Sequence, residues 1–241
     1  MDLGGWDKFW RDQRDSFNEV MKIGTTFFAV QLTKSFDLKS GDEILDYGCG
    51  PCFLADYLEP KQVAMTCADI NPLFIEQGKK NHPAFTFIAI TSDAEVNKKI
   101  FEEQLQGKKF DFIILLSIAQ YLKNVAILEK VINILLPYVE EGGKIIVADV
   151  IDQSSSAISD ALSLFVHCVK KGKIMAFFRF IFYLVFSDYR KLSSGIELLK
   201  ISEESMGQIA NNNSLNYEKV RGLTIHSSRT NYVLEKRQAK S

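Results

Sequence analysis

The sequence predicts an α/β fold: a doubly wound, mostly parallel sheet of seven strands with a helical insertion between the fifth and sixth. Three observations carry this. Short apolar runs alternate with stretches of helical periodicity from about Gly41 onwards, as in successive βαβ units. The first run, Ile44-Leu45-Asp46-Tyr47, stops in the glycine-hinged turn Gly48-Cys49-Gly50-Pro51 just ahead of a helix. Four successive strand ends then carry polar groups, which fits the rule that open parallel sheets bind ligands outside the carboxyl ends of their strands. The 241 residues, 46% of them apolar, suffice for one such core plus an insertion.

Residues from about Trp6 to Phe36 read as helical, with Phe17, Val20, Met21, Phe27, Phe28, Val30 and Leu32 among the apolar positions and an interruption near Gly24. Residues 1–40 are expected to form a helical flap ahead of the sheet domain, 41–241. Further strands are expected at Gln62 to Asp69, Phe85 to Ile90, Phe110 to Leu116 and Lys144 to Val150, the last opened by Gly142-Gly143. The continuous apolar character of Phe110 to Leu116 marks a strand covered on both faces. Helices are expected at Leu54 to Leu58, Pro72 to Asn81, Val96 to Leu105 and Val125 to Leu136. Ser202-Glu203-Glu204-Ser205 starts another, with Ser202 as its cap and two acids favourable to its dipole. Tyr217 to Arg221 and Asn231 to Lys236 read as the last two strands, joined by a loop that holds His226 and Arg229.

The turn after the first strand is built for a nucleotide-like ligand. Gly48 and Gly50 have no Cβ to block a ligand and can adopt backbone conformations closed to other residues. Asp46 at its mouth would repel a pyrophosphate but suits a ligand that carries an ammonium or sulfonium group. Phe53 stands where a dinucleotide fingerprint needs its third glycine. Asp69 ends the second strand nineteen residues beyond Gly50, the place and spacing at which a carboxylate accepts hydrogen bonds from ribose hydroxyls. An ordinary strand-to-helix turn with strand-end acids serving as caps is the plainer reading of the same residues.

Asp46-x-Gly48-x-Gly50 at a strand end resembles the first motif of the class I S-adenosylmethionine (SAM) methyltransferases, an acid followed by Gly-x-Gly-x-Gly. Cys52 replaces the last glycine, which is expected to narrow the pocket floor. The resemblance runs from about Gly41 to Val150 and again near the C-terminus, and it implies a Rossmann-like methyltransferase fold that binds SAM, releases S-adenosylhomocysteine and needs no metal. It places Asp46, Gly48, Cys49 and Gly50 beneath the cofactor, Asp69 on the ribose, Ile70 against the adenine, and Ser92 and Asp93 near the adenine amino group. Ser117, Gln120 and Tyr121 after the fourth strand come to the same edge, the last two where the family carries residues facing the methionine end or the acceptor.

Methyl transfer from a sulfonium asks the protein mainly to align a nucleophile and manage one proton. If the sixth strand is parallel to its neighbours, the following loop brings His226 to the ligand edge as a base for an oxygen acceptor, or leaves it bonded to loop backbone. Arg229 is either an anchor for an anionic substrate group or a solvated charge. His167 is assigned to packing or substrate contact, and His82, ahead of Pro83, to structure. Trp6, Phe9 and Trp10 are either a flap over the cofactor or an aromatic staple on the core.

Residues 151–200 are too long for a connection and too apolar for a linker. Two helices are expected, Ala157 to Val169 and Ile174 to Phe186, joined by the basic turn Lys170-Lys171-Gly172-Lys173. The second is apolar almost all round, carries Arg179 at its middle and is too short to span a bilayer, which takes about twenty residues. Three readings stand for it: a lid over a hydrophobic pocket with Phe178 as a substrate contact, a helix lying on a membrane surface, or a homodimer contact.

The partner expected is therefore a hydrophobic small molecule methylated at oxygen (phenolic, quinone-like or lipid-like), with carbon or nitrogen methylation as the alternative. A non-catalytic cofactor-binding or membrane-associated protein is the reading that Cys52 favours. A net charge of −1 and the lack of an Asn-Pro-Pro-Tyr or Asp-Pro-Pro-Tyr pattern argue against nucleic acid. The start, Met1 to Trp6, lacks the basic and apolar regions of a secretion signal, and the four cysteines are expected as reduced thiols of a cytoplasmic protein, peripheral to the membrane if the insertion binds it. Cys49-x-x-Cys52 has the spacing of a metal or redox pair, but no second pair accompanies it and the chain has only three histidines.

Overall fold

The computed structural model describes residues 18–186 and 197–237, together with Trp6, Trp10 and Gly195. Phe9 and Phe17 lie outside the described residues, as does most of 187–196. Seven strands form one sheet in the order β3-β2-β1-β4-β5-β7-β6. They are β1 (Glu43–Tyr47), β2 (Ala64–Asp69), β3 (Thr86–Ala89), β4 (Phe110–Leu116), β5 (Val139–Val150), β6 (Leu215–Val220) and β7 (Thr230–Lys236). Pairing is parallel from β3 to β5, and β7 lies antiparallel to both β5 and β6. β6 therefore points the same way as β1 to β5, and the β6–β7 loop returns at their carboxyl edge.

Alternation along each strand divides the core in two. Leu45, Ile113, Leu115, Ile145 and Val147 face one side, under α4 (Ala94–Leu105), α5 (Val125–Leu135) and α8 (Glu203–Asn212). Ile44, Met65, Phe112, Ile114 and Ile146 face the other, under α1 (Asn18–Ser35), α2 (Phe53–Leu58) and α3 (Pro72–Asn81). Side chains with period two on strands and helices on both faces make the sheet doubly wound. Four helix starts are set by side-chain caps, since Asn71, Asp93, Asn124 and Ser202 each accept from a first-turn N–H. α1 runs through Gly24 without a break, because the residue lies helically against Ile225 at ordinary contact distance. The expected interruption there is absent.

β5 begins five residues earlier than the sequence suggests, at Val139, and absorbs the extra length in a register shift against β4. Gly143 sits where a Cβ would meet the Phe110 carbonyl at 2.9 Å, so only glycine lets the strands close. A second shift, against β7 between Val147 and Val150, leaves Asp149 in the left-handed region at φ 63°. Such bulges re-aim side chains beside active sites.

The insertion forms α6 (Ala157–Lys170) and α7 (Ile174–Phe186), as expected. Leu164, Cys168 and Ala176 pack with Val20 of α1 and Ile225 of the β6–β7 loop in a small third cluster. The returning segment is pinned to the sheet edge where Leu199 N donates to Gln120 O and Ile201 N to Ile151 O.

Gly78 of α3 lets the helix sit on β3, since a Cβ there would come 2.2 Å from the Phe87 ring. Alanine normally gains about 1 kcal/mol over glycine within a helix, but overpacking of about 1–3 kcal/mol outweighs it at this site. Gly78→Ala is expected to lower the thermal midpoint, and a raised midpoint in a melting experiment would contradict this packing.

Candidate active site

The strand order reverses between β1 and β4, and the crevice opens there, as doubly wound sheets provide. The β1 turn and the β4 turn meet closely: a Cβ on Gly48, at φ 86°, would lie 2.3 Å from Ile118 Cδ1. A cavity of about 720 Å³ spreads from this point to the insertion. Asp46, Gly48, Cys49, Gly50, Asp69, Ile70, Ser117, Gln120, Tyr121, His226 and Arg229 all line it, so most of the residues singled out in the sequence converge.

At the glycine-loop end, Asp69 Oδ2 accepts from Gly50 N and Oδ1 from Asn71 N, both at 2.8 Å. Burial pushes the Asp69 carboxyl up to about 6, against those two N–H groups, which favour its ionised form. Burial also raises Asp46 well above the carboxylate range, and Cys52 and Asp69 nearby add to this. A ligand cation beside Asp46 would reverse that shift. Gln120 Oε1 is buried without a hydrogen-bond partner among the described residues, an acceptor waiting for a ligand donor.

The opposite end is organised by Asp149, which the sequence reading passed over. Its Oδ1 accepts from His226 Nδ1 at 2.8 Å, and its Oδ2 from Ser117 Oγ at 2.7 Å and Arg229 Nη1 at 2.9 Å. Burial would push the carboxyl up, but the Arg229 guanidinium and the His226 ring hold it below its ordinary value. Arg229 Nε donates to Asp160 Oδ2 at 2.8 Å, and Asp160 Oδ1 accepts from Ser228 Oγ. Arg229 thus braces α6 against the β5 end, with two fork nitrogens already engaged, instead of presenting an open fork to a substrate anion. Thr224 Oγ1 is a further polar atom at the cavity that is buried without a partner among the described residues.

Other expectations change. Ser92 and Asp93 do not line the cavity; Asp93 Oδ1 is spent on Glu95 N and Val96 N as the cap of α4. Phe178 is 55% exposed on the outside of α7, while Phe180, Ile181 and Leu184 line the cavity. His167 Nδ1 donates to Ser163 O and its ring packs edge-on against Phe27, a packing role away from the cavity. His82 lies between Glu59 and Asp56. Trp6 and Trp10 pack edge-on against Tyr121, and Trp10 also lines the cavity. Ser117 spends its hydroxyl on Asp149. Cys52 takes a left-handed conformation at φ 62° as a glycine would and stays out of the cavity lining, so it does not narrow the floor. Its thiol lies in a buried cluster with Cys49 and Cys67, the three sulfurs within 4.8 Å of one another. Cys67, on β2, completes a donor set that a soft metal ion would accept, and the Cys-x-x-Cys spacing alone does not reveal it.

A family model described as a methyltransferase domain matches residues 38–218, well over half of the chain. The chain therefore belongs to the methyltransferase domain family, and it is a SAM-dependent class I methyltransferase. Among solved structures, the magnesium protoporphyrin IX methyltransferase of Synechocystis PCC 6803 with bound S-adenosylhomocysteine superposes with a TM-score of 0.55 at 16% identity, over 96% of this chain and 93% of that one. The plantazolicin methyltransferase BpumL, also with S-adenosylhomocysteine, gives 0.57 at 13% identity, over 98% and 95%. A SAM-dependent methyltransferase from Methanococcus maripaludis, described as putative, gives 0.54 at 13% over 99% and 95%. At these identities the likeness is one of fold. No curated protein sequence matches the chain.

The residues present fit SAM: a glycine cradle, a buried acid suited to a cation, a carboxylate at the ribose position and an unpartnered amide oxygen. Ribose hydroxyls can only donate to an ionised Asp69, whose raised pKa means that acid neutralises it. SAM affinity, read by calorimetry, is expected to fall as pH drops through about 6, with buried Asp46 contributing beside Asp69, and Asp69→Asn is expected to weaken this dependence and to bind more weakly at pH 8. A flat wild-type profile between pH 5 and 8 would remove Asp69 from the cofactor contact.

Proposed function

We propose that the protein transfers the methyl group of SAM to an oxygen of a hydrophobic small molecule, of phenolic, quinone-like or lipid-like character. The observation that carries this reading is the Asp149–His226 pair, 2.8 Å apart, on the wall of a cavity whose other side is apolar. Bound SAM supplies an electrophilic methyl group on its sulfonium. An ionised Asp149 can only accept, so His226 Nδ1 carries the proton and Nε2 keeps its lone pair. Nε2 then takes the acceptor's hydroxyl proton, and Asp149 stabilises the resulting imidazolium. A neutral amine needs no such oriented base to become nucleophilic, which favours oxygen over nitrogen.

Leu164 of α6 and Phe180, Ile181 and Leu184 of α7 give the acceptor an apolar wall and keep water from the proton transfer. We read these helices as the lid of the acceptor site. Gln120 and Thr224 offer the polar contacts that orient the acceptor and the amino-acid end of SAM.

His226→Ala is expected to lower kcat about 10²- to 10⁴-fold toward a long-chain phenol while SAM affinity stays unchanged. Asp149→Asn should lower kcat and shift the pH profile, because an amide no longer fixes the imidazole tautomer. Methyl transfer from radiolabelled SAM to a panel of hydrophobic phenols and matched amines tests the assignment. Wild-type turnover in His226→Ala, or transfer confined to amines, would overturn it.

A further inference from the structure

The insertion helices have two apolar sides, and the cavity accounts for one of them. Ile158, Leu162, Val166 and Val169 form a stripe along α6 at spacings of three and four residues, exposed between 38% and 83%. Met175, Phe178, Phe182 and Phe186 form a matching stripe on α7, exposed between 55% and 71%, on the side away from Phe180, Ile181 and Leu184. Nine of the twelve large apolar side chains exposed among the described residues belong to these two helices. That concentration separates them from the scattered surface hydrophobics any protein carries.

The charge on these helices has one sign. Lys170, Lys171 and Lys173 lie at the tip joining the helices and Arg179 lies on α7, all exposed. The one acid of α6 and α7, Asp160, is buried against Arg229 and Ser228. Glu19 of α1 faces the same end and pairs with Lys173 at 3.4 Å and Arg179 at 4.0 Å, exposed contacts that salt and solvent weaken. The chain as a whole has a net charge of −1, so the cationic character is local.

We propose that the outer face of α6 and α7 seats the protein on an anionic lipid surface, with both helices lying in the headgroup region. Apolar stripes of this kind sink into the headgroup and acyl boundary while lysines and arginines beside them meet the anionic lipid. No helix among the described residues is long and apolar enough to cross a membrane, so the contact is peripheral. A second copy of the chain is the competing occupant, but a two-fold contact would bury the lysine turn and Arg179 with no exposed acid on either helix to pair with them. The inner face of α7 walls the cavity, so the docked helix separates bilayer from active site and a lipid-dissolved acceptor enters beside it. That last step rests on the acceptor reading above, whereas the docking does not.

Flotation of the full chain with phosphatidylcholine vesicles, with and without phosphatidylglycerol, tests the docking without any methyl transfer. The protein is expected to float with the anionic vesicles at low salt and to lose most of that binding at high salt. Phe178→Glu/Phe182→Glu should abolish flotation, and Lys170→Glu/Lys171→Glu should weaken it about tenfold or more. SAM affinity should be unchanged in both, because none of these residues lines the cavity. A wild-type chain that fails to float, or a double phenylalanine variant that still floats, would overturn the proposal. So would a dimer in light scattering that these substitutions dissolve while no vesicle binds. Absence of phenol methylation would refute the acceptor reading and leave the docking result standing.

Discussion

Asp149 is a nearly buried carboxylate at the cavity wall, and the acceptor half of the molecule is arranged around keeping it charged. A bulge in β5 turns it toward the cavity at a left-handed φ, a conformation that costs a side-chain-bearing residue of order 1–3 kcal/mol. Ser117 from the β4 turn and His226 and Arg229 from the β6–β7 loop close on it, and Arg229 carries the tie onward to Asp160 on α6. The partners come from the β4 turn and the β6–β7 loop, and Arg229 extends the tie to α6, so the sheet edge, the loop and the insertion share one electrostatic anchor. Removing one member of such a buried set leaves an uncompensated charge and typically costs about 3–5 kcal/mol. The strain and the desolvation persist because the same group orients the imidazole.

The two ends of the cavity treat their acids in opposite ways. Asp69 is raised to about 6 by burial with only neutral N–H donors to offset it. Asp149 is equally buried but lowered by a guanidinium and an imidazole. Asp149 therefore lends stability that is present above its unfolded value, near 3.9, and is lost as pH falls through the lowered folded value. Asp69 does the reverse: its ionisation costs stability as pH rises between about 4 and 6, and bound ribose hydroxyls would recover part of that. Environments that push like groups apart separate binding from proton-handling roles on one fold.

Much of the strand pattern was legible because parallel strands covered on both faces read as unbroken apolar runs that end in polar residues. The glycine turn, Asp69 and the edge that His226 reaches followed from that order. Other features depend on tertiary pairing and leave no local trace. Asp149 is aimed by a register shift between β5 and β7, which a single strand's pattern does not encode, although an acid at the end of Lys144 to Val150 obeys the strand-end rule. Asp160 is a lone acid in an apolar helix, in line with Leu164 one turn on, and that isolation was its only signal. Phe178, a substrate contact only under the lid reading, faces outward, and because α7 is apolar almost all round periodicity cannot separate its inside from its outside. Asp93 was misplaced because a cap and a ligand contact call for the same residue at the same position.

The central claim is that Asp149 fixes His226 with its lone pair on Nε2 toward the acceptor. Nitrogen-15 NMR of the protein labelled at its three histidines reads this directly, since protonated and bare ring nitrogens resonate far apart. With the ring neutral, His226 is predicted to show Nδ1 protonated and Nε2 bare, with the Nδ1 proton shifted downfield by its bond to a carboxylate. A ring with the proton on Nε2, or one exchanging evenly between the two forms, would contradict the account.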